Sequence, residues 1–308
     1  METDKTRIEA IAKLLPARIG GPVAAACAGI AGQVTEFRLR ALRPVCVGCA
    51  ARTYFIEGEA LSAAPGRAAL CARDGELADA LARLSEYSLY AKQAQLQGGY
   101  LTVRGGHRIG VAASMAADGG VDFGSVSGLN IRVAREVAGC ADAVMRETQA
   151  GGPSSVLIVS PPGCGKTTML RDLVRQSASP PFLRRVALID ERRELAALWN
   201  GAPALDAGLT TDILDGFSRR DGFAIALRCL APEVIACDEL SCAEDGALVA
   251  DARRCGVHVF ATIHAPDLSS LKSYPDFGRL RSAFGFAVLL RAGAAPGEIA
   301  GIERTDAL

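Results

Sequence analysis

Apolar and polar positions change their rhythm along the chain. The N-terminal stretch "METDKTRIEAIAKLLPARIGG" has the spacing of an amphipathic helix with acidic residues early. From Val34 to Gly58 short apolar stretches alternate with polar ones, as in paired strands. Leu77, Leu81, Leu84 and Leu89 then recur close to helical spacing, and "GGYLTVRGGHRIGVAASM" reads as two strands around a glycine turn at Gly105-Gly106. This rhythm predicts an α+β unit.

A second rhythm follows. Five apolar runs, Val156–Val159, Val186–Ile189, Glu233–Cys237, Val257–Ala261 and Phe286–Leu290, are mostly separated by stretches able to form helices. Unbroken apolar strands alternating with helices predict an α/β domain: a parallel sheet with helices on both faces. Between them the pattern loosens over Ala138–Ser154 and ends in Gly151-Gly152-Pro153, with a helix expected to dock on the second domain. The expected division is residues 1–137, a smaller α+β N-terminal domain, and residues 138–308.

Composition narrows the function classes. With 308 residues, half of them apolar and 22% charged, the chain can bury a sizeable core without metals or disulfides. Its 34 basic and 34 acidic residues cancel, which argues against a dedicated duplex-DNA binder. Ten cysteines without a regular framework read as reduced cytosolic thiols. Cys46-Val-Gly-Cys49 has the spacing of half a zinc site, but no second half follows, so buried strand residues are the favoured reading. The N-terminus lacks the basic start and apolar run of a signal peptide. The weakly polar run from Pro22 to Gly32 falls short of the ~20 residues that a bilayer span needs. A soluble protein with no direct membrane span is expected.

The chemistry concentrates in "SPPGCGKTTM", Ser160–Met169, between the apolar run Val156–Val159 and the helical "TTMLRDLVRQ". This strand, loop and helix are the setting of a P-loop, the Walker A element. Backbone N–H groups around Gly163, Cys164 and Gly165 can face phosphate oxygens at the positive helix end. Lys166 can reach the β- and γ-phosphates, and the Thr167 hydroxyl can ligate Mg²⁺. The expected nucleotide-binding set is Ser160, Pro161, Pro162, Gly163, Cys164, Gly165, Lys166, Thr167 and Thr168. Ser160 stands where the usual pattern has glycine; if that position needs positive φ, serine costs about 1 kcal/mol.

"EVIACDEL" supplies the apolar strand ending in acids that a Walker B element requires. Asp238 would hold Mg²⁺ and Glu239 would polarise the attacking water. "VALIDERREL" ends in Asp190-Glu191-Arg192 and "VFATIHA" in Thr262 and His264. In an open parallel sheet ligands bind at the carboxyl ends of strands, so the four clusters are expected to converge on one crevice. His264 has two readings, a γ-phosphate sensor or a histidine satisfied by a loop carbonyl. His107 and His258 have weaker claims.

The P-loop, "VALIDERREL", "GLTTDILDGFSRRDGFAIALRCLAPEVIACDEL" and "ATIHA" together resemble the stage III sporulation protein AA family, ATPases of endospore-forming bacteria. "GGYLTVRGGHRIGVA" and "GLNIRVAREVAGCADAV" resemble the N-terminal part of the same family. That family is similar to the ATPases of type II and type IV secretion and pilus assembly. The resemblance implies a RecA-like P-loop ATPase domain and a hexameric ring whose N-terminal domains close over ATP and Mg²⁺. It places Glu191 in an acidic box, Asp238-Glu239 in Walker B and His264 in a histidine box, so Lys166, Glu191, Glu239 and His264 form the expected catalytic set. It also implies a mother-cell, cytoplasmic setting at the base of a channel to the forespore, docked on membrane-embedded channel proteins. Thr211 precedes Asp212 where the pattern has arginine, so an arginine finger would be another residue, such as Arg219, Arg220 or Arg228; Arg104, Arg108, Arg132 and Arg135 either close on the nucleotide or pair with surface carboxylates, the commoner fate of arginine.

Two other readings stay open. A nucleic-acid-linked ATPase is disfavoured by zero net charge and by the short stretch expected beyond the last apolar run, "FAVLLRAGAAPGEIAGIERTDAL". A nucleotide-gated scaffold with negligible turnover would bind ATP but be indifferent to loss of Glu239. Cys164, in the loop, and Cys237, before Asp238, raise one more question: either thiol modification blocks the site, or both are small residues filling space.

Overall fold

The computed structural model describes residues 4–49, 52–88, 96–115, 121–134, 136–149, 151–240, 243–273, 277–292 and 297–307. They fall into two units, Met1–Arg135 and Glu136–Leu308. In the first unit the N-terminal amphipathic stretch forms two helices, not the single one expected. Helix α1 (Asp4–Leu14) stops short of Pro16, whose extended backbone precedes α2 (Ala17–Cys27). The two helices meet closely at Gly20, where an added Cβ would sit 2.0 Å from the Ala12 carbonyl oxygen.

Seven strands follow: β1 (Val34–Arg40), β2 (Cys46–Cys49), β3 (Arg52–Glu57), β4 (Ala60–Ser62), β5 (Tyr100–Val103), β6 (His107–Met115) and β7 (Val121–Arg132). They make one antiparallel sheet in the order β4-β3-β2-β1-β7-β6-β5. Gly105 and Gly106, at φ +86° and +74°, make the turn between β5 and β6, a conformation other residues rarely adopt. Helix α3 (Glu76–Leu84) ends before the helical leucine pattern does, because Glu86 and Tyr87 take positive φ; Leu89 lies outside the described residues. Inward residues such as Phe37, Leu39, Ile109 and Ile131 pack with Ile8, Ile11, Ile19 and Leu81 of the helices.

His107 belongs to this core. Its Nδ1 accepts a hydrogen bond from the Ala134 amide at 3.0 Å, so its role in the unit is structural. Burial, aided by the charge of Arg7, pushes its pKa down from 6.5 to about 4. The unfolded chain therefore binds the proton more readily, and stability is lost as pH falls from about 6.5 to about 4. At ~1.4 kcal/mol per pKa unit the loss reaches about 3 kcal/mol. Denaturant titrations at pH 7 and pH 4 should show it in the native chain, and His107→Gln should remove that component.

In the second unit α4 (Asp142–Gln149) leads into β8 (Val156–Ser160), α5 (Lys166–Ser177), β9 (Val186–Asp190), a two-residue ladder of β10 (Leu198–Trp199) and β11 (Ala202–Pro203), and β12 (Thr211–Asp215). Next come α6 (Arg219–Ile225) with a π-helical turn at Ala226–Leu230, β13 (Val234–Leu240), α7 (Ala243–Arg254), β14 (His258–His264), α8 (Phe277–Ala283), β15 (Phe286–Leu290) and β16 (Ile299–Arg304). The sheet order is β12-β9-β13-β14-β8-β15-β16, parallel except for the antiparallel edge strand β16.

Side chains alternate between the faces with period two. Leu157, Val159, Ile235 and Val259 pack under Phe223 of α6, Val249 of α7 and Leu280 of α8. Val156, Ile158, Val234 and Phe260 pack under Val144 and Met145 of α4 and Leu170 and Leu173 of α5. Each of the five expected runs contains a strand, with Glu233 and Val257 just before β13 and β14, and β8 and β9 are buried along their whole length. This is the α/β P-loop fold, preceded by a smaller α+β unit. Among the described residues, no helix is long and apolar enough to cross a membrane.

Candidate functional site

Ser160, Asp190, Asp238-Glu239 and His264 close four neighbouring parallel strands, so the topology brings them to one edge of the sheet. Between Ser160 and α5 the chain turns on Gly163 at φ +80° and Gly165 at φ +92°, both of which favour glycine. Ser160 is the buried last residue of β8 and does not take positive φ, so serine there carries none of the strain considered above. Its hydroxyl donates to the Pro161 carbonyl at 2.9 Å. Ser160→Gly should therefore not stabilise the protein but cost about 0.5–1 kcal/mol of backbone entropy, measurable by chemical denaturation.

Lys166 is buried at the start of α5, and its Nζ donates to the carbonyls of Ser160 at 3.0 Å and Pro161 at 3.1 Å. The same Nζ lies 2.9 Å from His264 Nδ1, while His264 Nε2 lies 2.9 Å from Glu239 Oε1. An ammonium can only donate, so Nδ1 accepts and Nε2–H donates: the imidazole bridges lysine and glutamate. The second oxygen of Glu239 pairs with Arg192 at 2.6 Å. Burial pushes the Lys166 pKa down, and Asp238 and Glu239 partly oppose it. Burial also pushes Glu239 up, but the His264 hydrogen bond and the charges of Arg192 and Lys166 outweigh it and hold the carboxyl below its usual range.

Adjacent residues of a regular strand point to opposite faces. Here the β13–β14 register shifts between Cys237 and Leu240, and Glu239 takes φ +54°. This bulge turns both acids into the site. The Thr167 hydroxyl donates to Asp238 Oδ2 at 2.6 Å, and the Thr262 hydroxyl donates to Asp238 Oδ1 while accepting from the Glu239 amide at 2.9 Å. A left-handed non-glycine residue costs on the order of 1 kcal/mol and persists only where its surroundings hold it.

The donor set fits a nucleotide with a hard cation. Thr167 and Asp238 put two oxygen donors side by side, as Mg²⁺ prefers, and the glycine turn with the α5 N-terminus offers amides to phosphate. Pro162 and Gly163 are the exposed part of the loop, Pro161 is half-buried, and Thr168 lies in the first turn of α5.

Other candidates fall elsewhere. Asp190 is buried and accepts from the amides of Glu194, Leu195, Ala196 and Ala197, so it shapes its loop and leaves the crevice. Glu191 reaches the cluster through Arg219, at 3.5 Å. Thr211 donates to the Ala207 carbonyl at 2.6 Å. Cys164 and Cys237 are buried, and burial drives the Cys237 thiol pKa far up, so Cys237 fills space rather than offering a reactive thiolate. His258 stands at the opposite end of β14 from His264. Arg104, Arg108 and Arg132 belong to the first unit, and Arg135 lies outside the described residues.

The family model described as "Sporulation stage III, protein AA" matches residues 5–307. The chain belongs to the stage III sporulation protein AA family. Stage III sporulation protein AA of Bacillus subtilis (strain 168) is 34% identical over 233 residues, covering 73% of this chain and 76% of that protein. Among solved structures, the Legionella pneumophila ATPase DotB superposes with a TM-score of 0.54 at 16% identity, covering 83% of this family member and 72% of DotB. The pilus retraction motor PilT with bound ADP gives 0.53 at 17% identity, covering 84% and 74%. At such identities the likeness establishes a shared fold.

Proposed function

We propose that this member of the stage III sporulation protein AA family is a Mg²⁺-dependent ATPase that does work on a membrane-embedded complex. The observation that carries the reading is the meeting of Lys166, Thr167, Asp238, Glu239 and His264 within hydrogen-bond reach at the P-loop edge of the sheet. Lys166 and the amides of Gly163–Thr168 bind the phosphates; Thr167 and Asp238 hold Mg²⁺, which supplies charge neutralisation at the phosphates when bound. Glu239 orients water and receives its proton, and His264 couples Glu239 to Lys166. Glu191 supports the site through Arg219.

The working form is a homo-oligomer, a ring of six, because the fold is shared with secretion and pilus motors. It sits in the mother-cell cytoplasm against membrane-embedded sporulation-channel proteins, and nucleotide shifts it between an open and a closed state. ATP drives the cycle if it binds the closed state more tightly than the open one. Steady-state hydrolysis measured against protein concentration, with Mg²⁺, tests this. The expected result is a specific rate that rises with concentration. Failure to bind ATP at all would overturn the reading, and binding with no turnover at any concentration would favour a nucleotide-gated scaffold.

A further inference from the structure

Arg219 opens α6, just after β12, and its guanidinium reaches the backbone of the paired acids. Its Nη1 donates to the carbonyls of Asp238 at 3.1 Å and Glu239 at 2.6 Å, and its Nε donates to Asp245 at 3.1 Å. Nη1 also lies 3.5 Å from the Glu191 carboxylate. The side chain is only 19% exposed and Asp245 is buried. The bulge takes the Asp238–Glu239 backbone out of regular pairing with β14, and orphaned carbonyls there would be costly without a donor. One guanidinium, planar and able to donate along several directions, serves both carbonyls and two carboxylates.

We propose that Arg219 is a positioning residue: by holding the Asp238–Glu239 bulge it keeps Glu239 in the left-handed conformation that aims its carboxylate at His264, and it acts within its own chain. An arginine offered to a neighbouring subunit's phosphate needs a free head group. Arg219 has its head group engaged by two carbonyls and two carboxylates. Its kinetic consequence rests on the ATPase reading; its structural consequence does not.

The first test needs no nucleotide. The chain has three histidines, so imidazole NMR signals are few, and His264 is assigned with His264→Gln. In Arg219→Ala the His264 signal should move towards its position in Glu239→Gln, while the His107 and His258 signals stay in place. An unmoved His264 signal would overturn the proposal. If Arg219→Ala disturbs all three signals, Arg219→Lys decides: lysine keeps the charge but lacks the fork, so the same selective shift is expected, and native behaviour refutes the need for a guanidinium.

The second test separates cis from trans. Arg219→Ala should lower kcat ~100-fold with ATP-analogue affinity changed less than ~3-fold, since misplacing a reacting group by about 1 Å costs that much. Mixing it with Lys166→Ala subunits, which carry an intact Arg219, should restore nothing. Recovery of activity in the mixture would overturn the proposal by showing a role in trans. An inactive native chain would fail the ATPase reading and leave the imidazole result standing on its own.

Discussion

Glu239→Gln is expected to lower ATP turnover about 10³-fold while nucleotide affinity stays within ~3-fold, in the range for loss of a positioned general base. The two carboxylates of the site have separate partners. Asp238 faces the Thr167 hydroxyl at 2.6 Å, where the cation would be held, and Glu239 faces His264 and Arg192. Replacing Glu239 leaves the metal-side oxygens and the glycine turn untouched, so binding survives. The amide can still accept from His264 Nε2–H, but it cannot take a proton from water. Because Glu239 is held below the usual carboxylate range, it is ionised across neutral pH, and its loss removes a base rather than a hydrogen-bond donor. Single-turnover hydrolysis and titration with a fluorescent ATP analogue measure the two quantities separately. Equal rates for native and variant proteins would remove Glu239 from the chemistry.

The parallel sheet was legible because its central strands are buried on both faces, which forces continuous apolar runs such as Val156–Val159 and Val186–Ile189. Edge strands escape that rule. β12 reads "TDILD" with exposed and half-buried positions, and β16 pairs on one side only, so neither gives a continuous run. Pro16 was visible, yet the apolar spacing continues through it, and periodicity alone joins α1 to α2. At the site, residue types and spacing brought Lys166, Thr167, Asp238, Glu239 and His264 into one crevice. Their wiring was hidden. A left-handed glutamate carries no sequence mark of the kind that Gly163 and Gly165 do, so the bulge, and the Arg219 fork that supports it, could only be found in three dimensions. Arg192 was equally silent: its neighbour Arg193 pairs with Asp215, while Arg192 crosses to Glu239.

Lys166→Ala should weaken ATP binding more than ~100-fold, the loss of a charge-assisted contact of about 3 kcal/mol, while leaving the unliganded fold nearly as stable as before. The two halves of this expectation have one cause. Without nucleotide the Lys166 ammonium is buried, its pKa is pushed down, and it is held by two carbonyls, an imidazole and more distant carboxylates. Removing it relieves the desolvation of a cation, which offsets most of the lost hydrogen bonds, so unfolding free energy should change by less than about 1 kcal/mol. A site organised to receive phosphate tolerates its empty state poorly, and the same buried charge then becomes its main attraction for the ligand. Thermal unfolding with and without MgATP reads both at once. At a concentration ~100 times the native Kd, nucleotide should stabilise the native protein by about 2.7 kcal/mol and the variant by well under 1 kcal/mol. An equal nucleotide-induced shift in both would take Lys166 out of the phosphate site, and with it the P-loop reading of Ser160–Thr168.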